Sequence, residues 1–158
     1  KGELTVVSSG KTEVFEAMKP ILEKIALEIF HLPTPASATK MKLINNLCLG
    51  SFMATLAECT AFAESCEIPK AKALEILGVG GGQSLVLKAK TQKLIDEDFS
   101  AHFSNNAINK DLHLLQDLAY NLKLPLYSAC VPKELFSKMK MMGKGEEDFS
   151  SIYQLFKK

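Results

Sequence analysis

SATKMKLINNLCLGSFMATLAECTAFAESC, residues Ser37 to Cys66, contains no proline. Its apolar and small residues fall on nearly every side of a helical projection. Leu43, Leu47, Ala54, Ala57 and Ala61 lie along one face, with Ile44, Cys48 and Phe52 on others. A helix apolar all round belongs at the centre of a domain, so the stretch predicts one long, central, buried helix. Gly50, Ala54, Ala57 and Ala61 would let a second helix approach closely. Ser37 or Thr34 is placed to cap its start.

Downstream, Pro69 suits a first helical turn and AKALEIL continues to Gly78. SLVLKAKTQKLIDE is amphipathic. NNAINKDLHLLQDLAYNL sets Ile108, Leu112, Leu115 and Leu118/Ala119 on one stripe. Tyr127 to Met142 reads as a helix with Pro132 inside it. A last helix begins near Asp148 or Ser150, either of which can cap it. Residues 36–158 therefore read as all-helical.

Upstream the period changes. LTVVS, residues 4–8, is short and β-branched and reads as a strand. KTEVFEAMKPILEKIA carries Val14, Phe15, Met18, Ile21, Leu22 and Ile25 at helical spacing, with Pro20 placed to kink or divide it. LEIFHLP is a second strand, stopped by Pro33 and Pro35. Strand, helix, strand in 35 residues is too little for a domain, so residues 1–35 read as the tail of an α/β domain. The first residue is Lys, not Met, which suggests an upstream part. No signal peptide opens the sequence.

LGVGGGQS, Leu77 to Ser84, invites a phosphate-binding reading. A dinucleotide fingerprint needs strand, GxGxxG, then helix. Here the run follows the helical AKALEIL, and no Lys-Ser or Lys-Thr follows it to make a P-loop. It reads as a helix end and a flexible turn, with the N–H groups near Gln83 and Ser84 left as a lesser anion contact.

Composition bounds the function classes. Net charge is +1, against a nucleic-acid binder. No apolar run of about 18 residues appears, so no membrane span is expected. All 19 basic residues are Lys, so a bidentate guanidinium clamp cannot be built from this chain. Cys48, Cys59, Cys66 and Cys130 form no CxxC, and His31, His102 and His113 complete no zinc spacing. No metal is expected, and the cysteines read as reduced core thiols of a cytoplasmic protein.

KMKLINN, Lys40 to Asn46, is the polar patch in the long helix. Lys42 and Asn46, four apart, share a face. A lysine in apolar surroundings either snorkels to water or is desolvated, and desolvation favours the neutral amine needed for acid–base work. By spacing alone the solvated reading is favoured, since a lysine near a helix start usually reaches water.

SATKMKLINNLCLGSFMATLAE resembles the interdomain helix of the β-hydroxyacid dehydrogenases. That family includes 3-hydroxyisobutyrate dehydrogenase and the glyoxylate/succinic semialdehyde reductases, with 6-phosphogluconate dehydrogenase more distant. Lys42 falls on the family's catalytic lysine and Asn46 on its partner asparagine. DFSAHFSNNAINKDLHLL is similar to the family's DF-x-P-x-F…KDL segment, putting Phe103, Lys110 and Asp111 at substrate- or cofactor-binding positions. GKGEEDFSSIYQLF resembles its G-x-G-D-x-D-x-S ending. Ala36 and Ser37 replace glycines usual ahead of the lysine helix, and Ala101 replaces the proline.

The resemblance implies a mainly α fold: a C-terminal helical domain of the 6-phosphogluconate dehydrogenase type, preceded by the tail of a Rossmann domain. It implies NAD or NADP, held mainly by an N-terminal domain. It implies a small hydroxy-acid or semialdehyde substrate in the interdomain cleft, and a homodimer or homotetramer. Lys42 would act as general acid/base, and this chain alone would be inactive. The alternative of another class is a non-catalytic helical oligomerisation or interaction module derived from the same family.

Overall fold

The computed structural model describes residues 4–157. The element order is β1 (Leu4–Ser9), α1 (Thr12–Leu22), β2 (Ala26–Leu32), α2 (Ser37–Ser65), α3 (Lys70–Val79), α4 (Leu85–Asp96), α5 (Asn105–Asn121) and α6 (Tyr127–Met141), then a 3-10 helix (Phe149–Leu155). The chain is mainly helical, as the periodicity indicates. Two compact units divide within α2, at Asn45/Asn46. The change from βαβ to all-α comes earlier, at Ser37.

In the first unit, β1 and β2 pair in parallel, from Leu4 opposite Ala26 to Ser9 opposite Leu32. Two parallel strands need a crossover, which α1 supplies. Gly10 turns the chain out of β1 at φ 134, a conformation L side chains rarely adopt. Pro20 lies inside α1, which ends two residues later. The proline thus sits in the last turn and does not divide the helix.

Ala36 precedes α2 with φ 64. The turn is closed by main chain: Ser37 N–H donates to the Thr34 carbonyl at 3.2 Å and Lys40 N–H to the Ala36 carbonyl at 3.1 Å. Thr34 thus contributes its carbonyl to the helix start.

The second unit surrounds a core of Met53, Leu56, Ala57, Leu74, Leu94, Ile108, Leu112, Phe136, Phe149, Ile152 and Tyr153. The α5 stripe is buried at Ile108, Leu112, Leu115 and Ala119. Gly50 on α2 meets this stripe: a Cβ there would lie 3.2 Å from Leu112 Cδ1. Ser84 and Ser104 cap α4 and α5, accepting from the N–H groups of Leu87 and Ala107. Asp148 caps the last element, which is a 3-10 helix. The glycine run ends α3: Gly80 N–H donates to the Ile76 carbonyl, and Gln83 N–H to the Gly80 carbonyl. That Gln83 N–H already has its partner.

Two expectations need correction. The four cysteines are free, as expected, but all are exposed rather than in the core. Nor is α2 buried all round. Leu43, Met53, Ala54, Leu56, Ala57 and Ala61 are covered, while Ile44, Phe52 and Phe62 stay exposed, Phe62 at 70%. The helices α3–α6 of one chain cannot cover every side of a helix this long.

Candidate active site

α2 carries two of the expected site residues one turn apart. Lys42 is exposed and lines a pocket of the first unit with Thr5, Val7, Ala38, Thr39, Met41 and Asn45. Its volume is about 630 Å³. The exposure of Lys42 agrees with the solvated lysine that spacing alone favours near a helix start.

Asn46 is buried, 5% exposed. Its Nδ2 donates to Asp111 Oδ2 on α5 at 2.7 Å. An ionised carboxylate only accepts hydrogen bonds, so the amide orientation is fixed: N–H₂ faces Asp111 and Oδ1 remains an acceptor. Asp111 is itself 2% exposed, and its Oδ1 lies 3.5 Å from Lys110 Nζ. A buried carboxylate needs such partners. Asn46, Lys110 and Asp111 are thus brought together, with Lys110 largely in solvent. Asp111 is placed to hold Asn46.

Phe103 stands just ahead of α5. It lies seven residues before Lys110 in sequence. It is half-buried against the core, edge-on to Phe149 with ring centroids 5.7 Å apart. His113, by contrast, bonds through Nδ1 to the Asn109 carbonyl of its own helix at 2.8 Å. Among the described residues no His/Cys/Asp/Glu group is arranged to hold a metal ion.

Sequence reasoning missed a buried ion pair next to Phe103. Lys90 Nζ lies 2.8 Å from Asp148 Oδ2, with side chains 6% and 0% exposed. Burial alone would raise the Asp148 pKa. The Lys90 ammonium, the Ser150 hydroxyl and N–H and the Phe103 N–H outweigh it, and the pKa lies below the usual carboxylate value. Lys93, also buried, bonds the Ser100 carbonyl at 2.7 Å and Asp98 Oδ2 at 3.3 Å. Bonds from Ser100, then from Lys93, lower the Asp98 pKa to about 2. The signal was present: Lys90 and Lys93 share the α4 stripe with Val86, Leu87 and Leu94. A lysine on an apolar stripe demands a partner.

Residues 36–156 match the family model described as NAD-binding of NADP-dependent 3-hydroxyisobutyrate dehydrogenase. The chain belongs to that family. It is 31% identical over 156 residues to 2-(hydroxymethyl)glutarate dehydrogenase of Eubacterium barkeri, covering 98% of this chain and 52% of that one. The crystal structure of 3-hydroxyisobutyrate dehydrogenase from Salmonella typhimurium superposes with a TM-score of 0.92 at 29% identity, over 98% of this chain and 54% of that one. Cytokine-like nuclear factor N-PAC of Anopheles gambiae is 29% identical over 153 residues, 97% of this chain and 27% of that one. The chain spans about half the length of the dehydrogenases it matches. No helix among the described residues is long and apolar enough to cross a membrane.

Proposed function

We propose that this chain is the C-terminal helical part of an NAD(P)-dependent β-hydroxyacid dehydrogenase acting on a small hydroxy acid or semialdehyde. Residues 1–35 read as the tail of its Rossmann domain and 36–158 as its substrate and dimerisation domain. The observation that carries the reading is Asn46: one turn from Lys42 on α2, with its amide direction fixed by buried Asp111.

The chemistry follows from that arrangement. In reduction the Lys42 ammonium gives a proton to the substrate carbonyl oxygen; in oxidation its neutral amine takes the hydroxyl proton. Asn46 Oδ1 accepts from the substrate hydroxyl or from the lysine. Lys110 is a point charge for a substrate carboxylate or a cofactor phosphate, and Phe103 supplies an apolar wall. These residue types suit one end of a nicotinamide dinucleotide: exposed ammonium groups for its anionic parts and a half-buried apolar ring, with no fingerprint loop to hold the rest. When bound, that cofactor supplies the hydride donor or acceptor. This chain alone is expected to be inactive.

The test is nicotinamide turnover by the full-length protein with short semialdehydes, hydroxy acids and glyoxylate, wild type beside Lys42→Ala. The expected loss in kcat is about 10²–10⁴, with the fold intact by circular dichroism. A variant retaining near wild-type kcat rejects Lys42.

A second reading is a helical interaction module without catalysis. The N-PAC relative and the exposed apolar side of α2 favour it. The dehydrogenase reading also puts that side in a homodimer or homotetramer. A protein that self-associates but turns over none of these substrates supports the module.

A further inference from the structure

The Asp148 carboxylate collects five hydrogen bonds. Oδ2 accepts from Lys90 Nζ at 2.8 Å, from the His102 N–H at 3.0 Å and from the Phe103 N–H at 3.2 Å. Oδ1 accepts from the Ser150 N–H at 3.1 Å and the Ser150 hydroxyl at 2.7 Å. Around it, the same short segment grips Phe103 in two more ways. The Phe103 carbonyl accepts from the Phe149 N–H at 2.8 Å, and the two rings meet edge-on. Lys90 Nζ also lies over the Phe149 ring, 4.9 Å from its centroid.

The C-terminal 3-10 helix does not depend on this carboxylate for its anchorage. Phe149, Ile152 and Tyr153 are buried, and the Tyr153 hydroxyl donates to Glu64. The Asn105 amide reaches the Lys144 carbonyl and Ser151 Oγ, both at 2.8 Å. The Asn105 and Asn106 N–H groups bond the carbonyls of Glu147 and Gly145. Taking two charges out of water is costly, and an apolar pair of similar volume often holds a fold at least as well. What the charged pair adds is direction: an acceptor-only group draws the successive N–H groups of His102 and Phe103 to one point.

We propose that Lys90 and Asp148 are a positioning pair for the reaction, setting where the Phe103 ring stands at the head of α5. Neither side chain touches the ligand; they act through Phe103. The proposal rests on the reading that Phe103 borders the substrate or cofactor.

The test uses the full-length protein with Asp148→Asn, Phe103→Leu and the double variant. KM and kcat are measured for the preferred hydroxy acid and for the nicotinamide dinucleotide, well below the unfolding temperature. The expected result is a loss in kcat/KM of about ten- to a hundredfold in Asp148→Asn. It should disappear on the Phe103→Leu background, where the ring it places is gone. Losses that multiply in the double variant overturn the proposal. So does an unchanged Asp148→Asn when Phe103→Leu is impaired. A silent Phe103→Leu overturns the reading of Phe103 and the pair's role with it. Where Asp148→Asn does not fold, Lys90→Met with Asp148→Leu makes the same comparison: it replaces the pair by apolar groups of similar volume and removes the acceptor that gathers the His102 and Phe103 N–H groups.

Discussion

Ala36 holds a conformation that costs an alanine about 1–2 kcal/mol: its φ is 64, just where the resemblance expects glycine. Ala36→Gly removes that cost but adds freedom to the unfolded chain. The net expectation is a gain of up to about 1 kcal/mol in urea unfolding; destabilisation would show that the strain is not real. At this scale the site was only partly legible. Spacing put Lys42 and Asn46 on one face, and the resemblance singled them out. Nothing in sequence showed that Asp111 is buried against Asn46, because the two lie 65 residues apart. A helical period says which side of α5 a residue occupies, not which atom waits across it.

Elements were far more legible. Both strands and the helices stand close to where periodicity and capping residues put them, including the cap at Asp148. The final element is 3-10 rather than α, a difference of hydrogen-bond register that seven residues hardly encode. The close approach of α2 to α5 at Gly50 was foreseen as a small-residue contact. Gly50→Val would push branched carbon into Leu112 and Ile108. Overpacking of this kind costs about 1–3 kcal/mol, readable as a lower urea midpoint with unchanged slope; an unchanged midpoint would mean that α5 gives way freely. The exposure of half of α2 was not legible. Apolarity on every side says that cover is wanted and leaves open whether one chain supplies it.

For the whole molecule, acid is the informative variable. Asp148 has its pKa lowered on folding, so its contribution is present above the unfolded carboxylate pKa, about 3.9. That contribution is lost as pH falls through the lower, folded value. Asp148→Asn should therefore flatten the fall of unfolding free energy below about pH 4; an acid limb as steep as wild type's would remove Asp148 from that account. A last consequence comes from the burial of Lys90 and Lys93 in a chain whose every basic residue is a primary amine. Among side-chain amines, an acylating reagent has only lysines to discriminate among. It should reach exposed Lys42 and Lys110 first and spare Lys90 and Lys93 until the fold opens. The order of labelling by mass spectrometry is thus a clock of native opening, and early acylation of Lys90 would show that its shelter is not kept in solution.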